Sequence, residues 1–164
     1  MKRVILTAAV MLFAFQFSMA QDEKITVGAH FGIPAAGDAT DLTTSNVGFD
    51  ASFYFANDII EGLDLGLSSG YTVFFGDEIE GVGELDDFSF IPIAASARYS
   101  FNQNFFAVAD LGYAVGVSDD TEGGFYYQPK FGYMFGSVEI SAFYKVFEDE
   151  STLGSLGVGL GYRF

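Results

Sequence analysis

From Lys24 to Phe164 the chain alternates, residue by residue, between apolar side chains and small or polar ones, in eight separate runs. Successive side chains of a strand point to opposite faces, so a period of two describes strands whose faces meet different surroundings. The runs cover approximately residues 24–34, 46–56, 63–75, 88–101, 105–117, 124–135, 138–148 and 155–164. No helical period of comparable length competes with them, and no Pro/Ser-rich linker marks a second domain. Longer links at 35–45, 76–87, 118–123 and 149–154 carry Gly, Asp, Glu, Ser and Thr. They alternate with short ones at 57–62, 102–104 and the Gly136-Ser137 pair. Gly, Asn and Asp reach the positive-φ conformations of tight hairpins, so the short links read as turns. The order predicts an antiparallel meander with four loops at one end, and three turns plus both termini at the other.

Sorting the runs by parity separates two surfaces. One reads Ile25, Val27, Ala29, Phe31, Ile33 in the first run and Leu156, Val158, Leu160, Tyr162, Phe164 in the last. It continues through the other six without a charge, with Ser69 and Pro129 as irregularities. The opposite surface is small and polar: Gly28, His30, Asp50, Ser52, Gly66, Ser68, Ser96, Arg98 and similar residues. A soluble barrel would also alternate, but its water-facing side should be rich in charge, whereas this polar face carries few charges and much glycine. Aromatics of the apolar face gather where strands end, at Phe53, Phe55, Tyr99, Phe101, Phe105, Tyr133, Phe135, Tyr162 and Phe164. Mid-strand positions are Val, Ala, Leu and Ile. Aromatic bands around an aliphatic zone match the girdles of membrane-spanning barrels. Hydrocarbon offers an open sheet edge no hydrogen-bond partners, so the sheet must close. The expected fold is all-β, an eight-stranded antiparallel up-and-down transmembrane β-barrel.

The only long apolar run, Val4 to Phe17, follows Lys2 and Arg3 and precedes Ser18-Met19-Ala20. That order is expected of a secretion signal over residues 1–20, cleaved after Ala20, leaving 21–164 as the barrel domain. A mean hydropathy of +0.30 with no second such run excludes a bundle of transmembrane helices. There is no cysteine, so disulfides play no part. Net charge is −15, and without Lys2 and Arg3 it becomes 5 basic against 22 acidic residues, or −17. Such a balance repels phosphates, and no nucleic-acid partner is expected.

Four of the five remaining basic residues, Arg98, Lys130, Lys145 and Arg163, fall on the polar face with Asp50, Asp64, Asp110 and Glu139. Equal numbers of opposite charges in a lumen only wide enough for side chains predict a compensated network. Glycines of that face are expected to make room for the long Arg and Lys stems. Which acid meets which base stays open. The other acids crowd the longer links: Asp77, Glu78, Glu80, Glu84, Asp86 and Asp87, then Asp119, Asp120 and Glu122, then Glu148, Asp149 and Glu150. None has EF-hand spacing, so a solvated acidic rim is expected rather than a metal site. His30, the only histidine, points inward by parity, and no G-x-S-x-G motif occurs. Ser52, Ser68 or Ser96 could approach it, but no catalytic residue and no cofactor are expected.

The last strand, Leu156-Gly157-Val158-Gly159-Leu160-Gly161-Tyr162-Arg163-Phe164, and the stretch Phe90 to Phe101 resemble those of the small outer-membrane β-barrel family, the OmpA/OmpX-like or porin-family barrels. Pro92 in that stretch is expected to mark a bulge. The resemblance covers residues 21–164 and implies residence in the cell outer membrane, among lipid and lipopolysaccharide. It also implies insertion by the barrel assembly machinery, which would read Tyr162 and Phe164, with periplasmic chaperones during transit. A monomer is expected. Activity is not fixed by the family. The leading expectation is a structural or surface-interaction barrel with a filled lumen and acidic external loops. A small diffusion pore is the alternative, and a lipid-modifying barrel enzyme stands third.

Overall fold

The computed structural model describes residues 24–57, 59–79, 83–84, 86–118, 121–149 and 151–164. The expected signal segment 1–20, its cleavage site, and Glu80, Asp119, Asp120 and Glu150 lie outside the described residues.

Alternation produces what it predicts. Strands β1 (Lys24–Gly37), β2 (Thr43–Ala56) and β3 (Leu63–Gly76) are followed by a two-residue ribbon, β4 (Glu78–Ile79) with β5 (Gly83–Glu84). Then come β6 (Phe88–Ser100), β7 (Phe105–Gly116), β8 (Gly124–Phe135), β9 (Val138–Glu148) and β10 (Thr152–Arg163). The eight long strands form a closed antiparallel barrel in chain order, sealed by β1 against β10 from Thr26↔Arg163 to Gly37↔Leu153. Every neighbour is reached by the adjoining link, so the meander needs no crossover.

One departure from the expected strands concerns the loop end. Residues 35–37, 43–45 and 152–154, read as loop from composition, are strand. They are held there by a short helix, α1 (Ala39–Leu42), whose preceding Asp38 carboxylate accepts the Thr152 N–H at 2.9 Å. The Thr43 hydroxyl, which donates to Ala39 O at 2.8 Å, closes the helix's far end. Pro92, in turn, marks no bulge. The β3–β6 register is continuous from Leu63↔Tyr99 to Phe74↔Phe88, with only the pairs at Gly70 and Tyr71 missing. Pro92 has no N–H for the ladder, and its carbonyl instead accepts the Ser69 hydroxyl at 2.8 Å. Ser69 is thereby satisfied on an otherwise apolar face. At the turn end Gly136 takes φ +62° and Gly62 φ +83°, conformations that side chains disfavour.

The large apolar side chains are outside. Phe31, Phe49, Leu67, Ile93, Leu111, Phe131, Val158 and Leu160 each expose about half their surface or more. An aromatic belt rings the turn end, with Tyr99–Phe101, Phe105–Tyr133, Tyr133–Phe135 and Tyr162–Phe164 in ring contact. Tyr113, Phe125, Tyr127 and Tyr144 form a second belt toward the loops. Charged and polar side chains such as Asp64, Arg98, Gln128 and Lys145 are buried instead, an inversion of the soluble pattern.

Candidate functional site

The lumen is stacked in three tiers. At the turn end, Arg98 Nη1 donates to Glu139 Oε2 at 3.1 Å and its Nη2 forms an ion-pair contact with Oε1 at 2.8 Å, while its guanidinium lies 3.7 Å from the centre of the Phe106 ring. Arg163 bonds Asp64 at 2.9 Å and approaches Glu139 to 4.0 Å. Lys24 joins Asp64 at 3.0 Å. Its parity is that of Thr26 and Gly28, so the fifth basic residue belongs to the network that sequence reasoning drew from four. Hydrogen bonds between a guanidinium and a carboxylate are charge-assisted and stronger than neutral ones. Arg98 is only 1 % exposed, and burial of such a charge is tolerable only with a partner this close.

The middle tier centres on His30. Its Nδ1 lies 2.9 Å from Asp50 Oδ2, and its Nε2 lies 3.0 Å from Lys145 Nζ and 3.3 Å from Thr72 Oγ1. An ammonium can only donate, so Nε2 offers its lone pair and the ring proton sits on Nδ1, facing Asp50. Lys145 also donates to Thr72 at 3.1 Å and pairs with Asp50 at 3.5 Å. Beside this group Lys130 meets Asp110 at 3.1 Å. Gly48 makes the arrangement possible: a Cβ there would stand 2.7 Å from His30 Cε1. Gly132 likewise abuts the Phe106 ring and Gly157 the Phe143 ring. These three glycines accommodate rings, and no Arg or Lys stem of the kind expected beside the lumen glycines stands among the atoms nearest any of them. A cavity of about 50 Å³ separates this tier from the lower one, bounded by Asp50, Lys130, Arg98 and Glu139. It has room for water molecules and nothing larger.

The top tier is aromatic. Phe90 and Phe147 stack at 4.5 Å, Phe74 stands edge-on to both, and Tyr126 lies 5.2 Å from Phe147. Ala39 of α1, Ala94 of β6, Ala114 of β7 and Leu153 of β10 complete the cluster. This plug corrects the reading of the inner face as uniformly small and polar. Above it opens a vestibule of about 300 Å³, floored by Phe88, Phe90 and Phe147 and bordered by Glu122, Glu148 and Asp149.

All eight charges singled out from sequence thus reach the lumen, in the pairs Arg98–Glu139, Arg163–Asp64, Lys130–Asp110 and Lys145–Asp50. His30 meets none of Ser52, Ser68 or Ser96 within hydrogen-bonding distance; Ser96 is paired with the Tyr54 hydroxyl at 3.2 Å. Tyr162 and Phe164 sit exposed at the turn end of the closing seam, where Phe164 N–H donates to Ile25 O at 2.8 Å. Among the described residues no three His, Cys, Asp or Glu side chains converge as a metal site.

A closed eight-stranded barrel with a polar lumen and a charge-free apolar exterior is a transmembrane β-barrel of the outer-membrane type. Solved structures of that type superpose along nearly their whole length. The Yersinia pestis outer membrane protein Ail, in a phospholipid bilayer nanodisc, matches with a TM-score of 0.62 at 18% identity, over 87% of this chain and 99% of its own. The outer membrane enzyme PagL matches at 0.61 and 14% identity, over 84% and 98%. A de novo designed barrel, TMB2.3, matches at 0.55 and 18% identity, over 88% and 98%. No family model and no curated protein sequence matches the chain. At these identities the likeness is one of fold, and neighbours that include an enzyme and a designed barrel leave activity undetermined.

The membrane fold has an inexpensive check. The refolded barrel should migrate differently in SDS gels before and after heating, because the closed sheet resists the detergent until it melts. A monodisperse preparation of residues 21–164 in detergent-free buffer would contradict the membrane assignment.

Proposed function

We propose that this chain is a non-conducting, non-catalytic outer-membrane barrel that serves as a structural and surface-interaction module, its acidic loops facing the medium. The observation that carries the reading is the occupied lumen. Two tiers of paired charge lie beneath the stacked Phe90–Phe147 plug, and the cavity between those tiers holds only about 50 Å³. Eight-stranded barrels are at the size where side chains fill the interior, whereas wider ones leave aqueous channels. Asp50, His30 and Thr72 follow the order carboxylate–imidazole–hydroxyl of a nucleophilic triad. Yet the Nε2 lone pair that would deprotonate Thr72 is engaged by Lys145, and Thr72 is fully buried. A nucleophile without a free base and without substrate access supports a packing role.

The partners follow from location and charge. Lipid and lipopolysaccharide would surround the exterior, and the barrel assembly machinery would receive the strand ending in Tyr162 and Phe164, after escort by periplasmic chaperones. A monomer satisfies its own sheet edges, since the barrel closes on itself. Ail has been crystallised in complex with the heparin analogue sucrose octasulfate. The loop acids here would repel such a polyanion, so surface partners of this barrel carry positive charge.

Reconstitution in planar bilayers tests the reading. The expected trace is flat, without unitary current steps. Discrete ohmic steps would establish the diffusion pore instead. Hydrolysis of a phospholipid or lipid A acyl chain, abolished by His30→Ala, would establish the enzyme.

A further inference from the structure

We propose that the vestibule above the aromatic plug is a binding site for a small organic cation, an ammonium carrying an apolar body about the size of one aromatic ring. The inference rests on the surface-interaction reading above and names the chemistry that the loop end of the barrel would accept. Its volume of about 300 Å³ stands at the lower end of small-molecule sites.

The lining combines two chemistries that select jointly. The floor is made of Phe88, Phe90 and Phe147; the stacked pair is almost wholly buried in the plug, so the half-buried Phe88 offers the open ring surface. Apolar surface held against water costs about 25 cal/mol per Å², so an apolar body displacing that water is favoured. The border supplies Glu122, Glu148 and Asp149, and among the described residues no Lys, Arg or His lines the space. Carboxylates beside an accessible aromatic ring such as Phe88 hold organic ammonium groups, by Coulomb attraction and by the ring quadrupole. A neutral apolar guest would partly desolvate the carboxylates with nothing in return. Anions are repelled. A hard inorganic cation requires six or more oxygen ligands, which a phenylalanine floor does not supply.

The test uses the refolded barrel in nanodiscs of zwitterionic lipid, with benzyltrimethylammonium as probe and backbone amide NMR as readout. Saturable one-to-one binding is expected, with shifts at residues 121–124 and 147–149. The double variant Glu148→Gln/Asp149→Asn should weaken it by about tenfold, as should replacement of the probe by neutral neopentylbenzene. Asp86→Asn, an exposed acid outside the lining, should leave affinity within about twofold, because a screened surface charge contributes little at a distance. The heat-dependent gel shift verifies that each variant folds. Equal binding of neopentylbenzene, an equal loss from Asp86→Asn, identical shifts from calcium alone, or no saturation at millimolar probe would each overturn the site. None of these outcomes touches the flat conductance trace, and current steps in that assay would leave cation binding standing.

Discussion

Arg98→Met should lower the stability of the folded barrel by about 3–5 kcal/mol, the range found when one member of a buried ion pair is removed. Methionine keeps much of the arginine stem's volume, so the loss comes from electrostatics, not from a void. Glu139, 6 % exposed, would keep its charge with Arg163, 4.0 Å away, as its remaining ion-pair contact. The 3.7 Å contact of the guanidinium with the Phe106 ring goes as well. The measurement is urea unfolding in lipid vesicles, read by the heat-dependent gel shift. Adding Glu139→Gln to the variant should restore part of the loss, since a neutral amide no longer needs the guanidinium; contacting pairs couple by about 0.5–3 kcal/mol. Conductance should stay at zero throughout, because the Phe90–Phe147 plug lies at the other end of the lumen. A loss below about 1 kcal/mol would mean that water reaches Glu139 and that this tier is no closed network.

Most of this architecture is legible in the sequence, because one rule, parity, does the sorting. It places Asp50, Arg98 and Lys145 inward and Val158 and Leu160 outward, where the structure has them. The same rule also turns four large rings inward. Phe74 has the parity of Ser68, Phe90 that of Arg98, Tyr126 that of Gln128, and Phe147 that of Lys145. The aromatic plug is therefore legible by parity, although large apolar side chains suit the lipid face equally well. Pairing was not legible, for a geometric reason. Arg98 stands directly beside Asp64 in the β3–β6 register, yet its fork closes on Glu139 of β9, across the lumen. Partners across a barrel depend on strand tilt and side-chain reach, and neither leaves a trace in residue spacing. At the loop end, composition misled: Gly37, Thr43 and Thr152 look like loop residues, but Asp38 and Thr43 stitch the backbone there into the sheet.

Val158→Arg separates the membrane barrel from any soluble alternative more sharply than composition can. Val158 lies midway along β10, between Phe31 and Ala142 on the neighbouring strands, and is 58 % exposed. On a water-facing exterior an arginine at so open a site would change stability by no more than about 0.5 kcal/mol. At the middle of a bilayer the same side chain must stay in hydrocarbon or bend toward a distant headgroup, and the cost is about 2–4 kcal/mol. The penalty should shrink to about 0–1 kcal/mol for Tyr162→Arg, which sits in the aromatic belt at the membrane boundary. Stability of both variants, measured by urea titration in the same vesicles, gives a depth profile along a single strand. A steep cost at Val158 beside a slight one at Tyr162 fixes where hydrocarbon begins. Equal, small effects at the two positions would mean that the apolar exterior faces something other than lipid.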